Sequence, residues 1–167
     1  TLTLQAGLVC VGTADNSNYV FSIPERVKTT INSGTANFHN ITIYQGTYLK
    51  KQFVVDGSLD QRFLLDNSFI DTSTIVVKVK GTADSGEGRE YSRSDNILNI
   101  NKNSEIYLIQ EVQDEKYELL FGDGYFGKKL ENGAIITVSY IITDGEDGNG
   151  AAKFSLSGRF LDSLSNT

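Results

Sequence analysis

A chain of 167 residues with a formal charge of −6 and a pI near 4.7 fits one domain or two small ones, and its acidity argues against nucleic acid or an anionic membrane as the main partner. Apolar residues make up 39% of it, and nine Phe with eight Tyr supply a core, which argues against disorder in the bulk of the chain. The one cysteine, Cys10 in LVCV, makes no internal disulfide and reads as a buried small hydrophobe.

The chain opens TLTLQAG, without an initiator Met and without a signal-peptide pattern, and reads as a piece of a longer protein. No apolar run approaches the ~20 residues of a membrane-spanning helix. Short β-branched and aromatic runs, broken by Gly, Asn, Asp and Ser, predict an all-β fold of antiparallel, sandwich-like modules with long loops. The first predicted strands are 1–4, 8–11, 18–23 and 37–44, with strand or loop at 25–29 after Pro24. Strand 52–55 follows, then a short turn around 58–63 and a strand over 74–80. In that strand Ile75, Val77 and Val79 share one face, with Lys78 and Lys80 opposite.

The stretch 81–95, GTADSGEGREYSRSD, has no periodicity and reads as an exposed connection. Strands are predicted again at 105–113 and 117–121, the second running into Asp123-Gly124, a strong turn pair. After KKLENG the strand 134–143 is expected to run back, with Ile136, Val138, Tyr140 and Ile142 on one face. DGEDGNG then ends that strand and releases a last one at 151–156. Strands that flank a long excursion are expected to pair, which divides the chain into an outer module (1–45 with 134–157), an inserted module (46–133) and a tail (158–167).

Motifs that could carry chemistry are few. Asp144, Glu146, Asp147 and Asn149 crowd acceptors together, but the spacing is not that of a calcium loop and no closing bidentate Glu follows. FGDGYFG contains the string G-x-G-x-x-G, yet a strand and no helix follows it, so the helix terminus that would hold phosphate is missing. His39 is the single histidine, no G-x-S-x-G elbow occurs, and no pair among the 21 acidic residues is selected. The lysine pairs Lys50-Lys51 and Lys128-Lys129 read as solvated edges. No cofactor, metal, catalytic residue or small-molecule substrate is expected.

The run from Phe121 to Ser155 resembles the baseplate wedge proteins of contractile-tailed bacteriophages, the baseplate J-like group. The resemblance rests on Phe121, Gly122, Asp123 and Gly124 as an FGDG turn, with Gly127 after it. It continues through Gly133, Ala134 and an alternating strand to Tyr140, then a loop closing in Gly145, Gly148, Asn149 and Gly150. Upstream, ITIYQGTYLKKQFVVD and RFLLDNSFIDTSTIVVKVK follow the family's order, with Asn67, Ile70, Asp71 and 74–79 carrying that part. The opening LQAGLVCVG…NYVFSI matches loosely, so the resemblance covers 41–155 well and 1–40 less closely.

The resemblance implies a virion structural protein of the viral tail, assembled in the host cytoplasm. It would dock other wedge proteins and copies of itself around the tail hub, without enzymatic activity, and would help to hold the sheath extended. The alternative is a carbohydrate-binding β-sandwich of a tail fibre or surface protein. For that reading Tyr19, Tyr44, Tyr48, Tyr91, Tyr107 and Tyr125 are the candidate stacking rings.

Overall fold

In a computed structural model, residues 1–96 and 98–164 are described. Strand accounts for 52% of the chain and helix for 4%, so the class is all-β. The strands in chain order are β1 (Leu2–Leu4), β2 (Gly7–Ala14), β3 (Ser17–Ile23), β4 (Val27–Thr29), β5 (Ile31–Asn32), β6 (Thr35–Ala36), β7 (Tyr44–Gln45) and β8 (Thr47–Val54). They continue as β9 (Phe63–Leu65), β10 (Ile70–Lys80), β11 (Arg89–Arg93), β12 (Ile106–Val112), β13 (Lys116–Phe121), β14 (Ile135–Ile142), β15 (Ala152–Leu156) and β16 (Phe160–Leu161). Among the described residues helix is confined to two 3-10 turns, Gln113–Glu115 and Gly145–Gly148.

The chain forms two compact units. One holds Thr1–Leu49, Phe69–Ile75 and Tyr140–Thr167; the other holds Lys50–Ser68 and Val76–Ser139. The passages between them fall inside β8, β10 and β14 and in the loop before β10.

The first unit contains the sheets β16-β1-β4 and β15-β2-β3-β7 and the small hairpin β5-β6. Leu4, Val9, Cys10 and Ile23 form its buried cluster, with Phe21, Val27, Phe38, Ile41 and Phe160 packed against it. Val9 and Cys10 are neighbours in sequence and both buried, which strict alternation forbids. The register of β2 on β3 shifts between Leu8 and Cys10, and such a bulge turns two successive side chains to one side. In the same unit Thr74 is buried and satisfied on both sides: its hydroxyl donates to Asp71 O at 2.7 Å and accepts from Ile141 N at 2.9 Å. The segment after 157 contributes β16, which pairs antiparallel with β1.

The second unit is built on a seven-stranded sheet, order β8-β14-β10-β11-β12-β13-β9, curled into a nearly closed barrel. Its two end strands meet through side chains. Phe53 and Phe63 stack edge to face at 5.5 Å, and Lys51 pairs with Asp66 at 2.6 Å. Pairing is antiparallel for β10 with β11, β12 with β13 and β13 with β9, while β11 and β12 run parallel. The expected face of β10 is present, since Ile75, Val77 and Val79 are all buried. In β14, Ile136, Val138 and Tyr140 are buried as expected, and so are Ser139 and Ile141 on the other side. A strand covered on both faces loses its alternation.

Four expectations need correction. No strand covers 37–44; only Tyr44 belongs to one, because Asn40 takes a left-handed φ of 54° and breaks the extension. The stretch 81–95 is not all connection, since Tyr91 is 5% exposed and anchors β11 against Val77 of β10. The turn around 58–63 gives way at Phe63 to β9. Moreover, β13 and β14 do not form a hairpin: β10, β11 and β12 lie between them in the sheet.

Candidate functional site

Phe121 ends β13 with its ring in an aromatic row. It meets Phe63 at 5.3 Å and Tyr91 at 6.1 Å, both edge to face, an arrangement that favours aromatic pairs. The row anchors the FGDG turn in the second unit. Asp123 shapes the next residues, its Oδ1 accepting from Tyr125 N at 2.8 Å and Phe126 N at 2.9 Å. Those two N–H groups, Phe126's first, hold the Asp123 carboxyl below the usual aspartate range. Gly124 N donates to Gly127 O at 3.1 Å and closes the loop.

Gly122 and Gly127 lie backbone against backbone. A Cβ on Gly122 would overlap the Gly127 carbonyl, so the position admits only glycine. Beyond the loop, Gly127 N donates to Asn101 O at 3.1 Å and Lys128 N to Ser104 O at 2.8 Å. Gly122 bridges Lys129 in parallel. These bonds tie the turn to the segment before β12, and β14 does not return beside β13 because β12 and β9 already pair with the two edges of β13.

The fixed loop carries two rings into solvent: Tyr125 is 81% exposed and Phe126 57%. The turn is legible in the sequence, Tyr125 is there one ring among six, and Phe126 carries no signal of its own. Tyr91 and Tyr107 are buried in the second unit, and Tyr19, Tyr44 and Tyr48 are half-buried. Of the six rings proposed for stacking, Tyr125 is the one that stands free in solvent.

Near this loop, in the same unit, Glu105 accepts from Lys128 at 2.8 Å and from Arg89 at 3.1 Å. Lys128, and then Arg89, keeps the Glu105 carboxyl below its ordinary range, while Glu105 raises Lys128. Burial pushes the Tyr91 hydroxyl up. The groups line a cleft of about 30 Å³, room for water, whereas a small-molecule pocket has roughly 300–1,000 Å³. Lys128, like Lys51 with Asp66, is therefore an ion-pair partner and not just a solvated edge.

Gly133 begins the approach to β14 and donates its N–H to Val55 O at 2.7 Å. Tyr140 is 2% exposed, a core residue of the first unit. Gly145, Gly148, Asn149 and Gly150 form the acidic loop of that unit around the second 3-10 turn. The loop is organised by Gln45, which sequence reading missed. Gln45 Nε2 donates to Asp144 Oδ2 at 2.5 Å, and its Oε1 accepts from Thr143 Oγ1 and Asp144 N, each at 2.9 Å. Gly148 is buried because the Gln45 side chain lies over it.

Among the described residues no three His, Cys, Asp or Glu side chains gather into a metal-holding group. His39 is exposed, outside any strand. Among the described residues no helix is long and apolar enough to cross a membrane. No model of a known protein family matches the chain, and no curated protein matches it.

Proposed function

We propose that the chain is a non-enzymatic docking and scaffold module of a contractile-tail baseplate wedge, part of the virion, whose partners are other wedge proteins and copies of itself. The observation that carries the reading is the FGDG turn. Its residues are among those on which the resemblance rests, and it is a backbone-locked mount for two exposed rings. Exposed aromatics on a rigid support are suited to docking, because little side-chain or loop entropy is lost when they are covered.

Crosslinking mass spectrometry on contractile tails that contain this chain tests the proposal. Crosslinks from Lys128 or Lys129 to baseplate proteins are expected. Crosslinks to fibre or tube proteins alone overturn it.

A second reading, carbohydrate binding, draws on the exposed Tyr125 ring, a flat face of the kind that stacks on sugars. Glycan-array signals that vanish in Tyr125→Ala favour it; background signal throughout removes it.

A further inference from the structure

The chain contains two Asn-Gly pairs, Asn132-Gly133 and Asn149-Gly150. An asparagine before glycine is open to attack by its own backbone, because glycine has no Cβ to shield the amide nitrogen and gives the chain freedom to bend. In sequence the two pairs are equivalent. In the fold they are not.

Gly133 N–H is engaged, donating to Val55 O at 2.7 Å. The Asn132 side chain is packed over Gly57, with its Cγ 3.2 Å from where a Cβ on that glycine would stand. Gly133 itself faces Thr82 Cγ2 at 3.1 Å on the same measure. Attack by this nitrogen requires the bond to Val55 to open and the side chain to leave its place.

Asn149 and Gly150 lie at the end of the acidic loop and are exposed, as Asn132 and Gly133 also are, so the difference between the pairs lies in their contacts and not in exposure. Gly150 N–H donates to no acceptor among the described residues, and nothing lies within 4 Å of where its Cβ would be. The Asn149 side chain likewise has no hydrogen-bond partner among the described residues, although its backbone N–H donates to Glu146 O at 3.0 Å.

We propose that Asn149 is a site of spontaneous deamidation and that Asn132 is its protected counterpart. Gly150 nitrogen gives its proton to solvent base and bonds to Asn149 Cγ. The Cγ–Nδ2 bond then breaks, and ammonia leaves with a proton from solvent. Water opens the resulting five-membered imide at either carbonyl, giving aspartate or isoaspartate. Either product adds a carboxylate to the loop that already holds Asp144, Glu146 and Asp147, in a chain of formal charge −6. The isoaspartate form also lengthens the backbone by one carbon, directly after the turn that Gln45 holds. The inference is independent of the wedge reading.

The test is incubation of the folded chain at mildly alkaline pH, followed by digestion and mass spectrometry of the peptides containing each asparagine. The one-dalton gain is expected to accumulate at Asn149 at least about ten times faster than at Asn132, because the Asn132 site must open first. Methyl transfer by an isoaspartyl methyltransferase should label wild type and fall sharply in Asn149→Gln, whose longer side chain closes the ring poorly. Unfolding in urea should bring the two rates together. Equal rates in the folded chain, faster conversion of Asn132, or a gap that survives unfolding each overturn the proposal.

Discussion

The two glycine-rich loops, 122–127 and 144–150, look alike in composition and are held by different partners, backbone in the first and a side chain in the second. In the first, glycine is demanded by contact: the backbones of Gly122 and Gly127 touch, and backbone hydrogen bonds run on to Asn101 and Ser104. In the second, Gly145 and Gly150 face open space and supply only positive φ values of 66° and 80°, and Gly148 makes room for one distant side chain, Gln45, which gathers the loop. A glycine count therefore does not reveal rigidity. What matters is whether the missing Cβ makes room for another atom.

That contrast can be broken by substitution. Gly122→Ala should have the largest effect, about 3 kcal/mol or more, because backbone atoms of Gly127 cannot move aside cheaply. Urea denaturation measures it, and a loss under about 1 kcal/mol contradicts the contact. Gln45→Ala should cost about 1–2 kcal/mol, since it leaves Asp144 N and Thr143 Oγ1 without their acceptor at a partly solvated site. Gly145→Ala should cost about 1 kcal/mol, the penalty for a left-handed residue with free space around it. Tyr125→Ala and Phe126→Ser should change stability by no more than about 0.5 kcal/mol, as exposed positions do, while weakening binding to the docking partner.

Acid should loosen the first loop. The Asp123 carboxyl is held low by Phe126 N–H and then Tyr125 N–H. A depressed folded value means that these bonds stabilise the loop above the ordinary aspartate pKa. The contribution fades as the pH falls through the lower folded value. The amide signals of Tyr125 and Phe126 should therefore titrate in acid, following Asp123. Amides that stay unchanged while the Asp123 carboxyl protonates contradict the turn.

The parts legible in the sequence were those set by local chemistry. Ile75, Val77 and Val79 alternate because β10 has one core face, and Asp123-Gly124 makes a turn by itself. Tyr91 was hidden in GREYSRSD because one buried ring among charges leaves no period. Gln45 was illegible because its partner Asp144 lies 99 residues away. The same distance problem hid the strand order: β13 and β14 are successive in the chain, yet β10, β11 and β12 separate them in the sheet. The exposed pair Tyr125 and Phe126 could have been found, since two rings inside a tight turn have no core to enter.

The measurement that tests the functional account most directly is electron microscopy of purified contractile tails labelled with an antibody against this chain. The account predicts label confined to the baseplate. Label on fibres, or on no part of any tail, contradicts it.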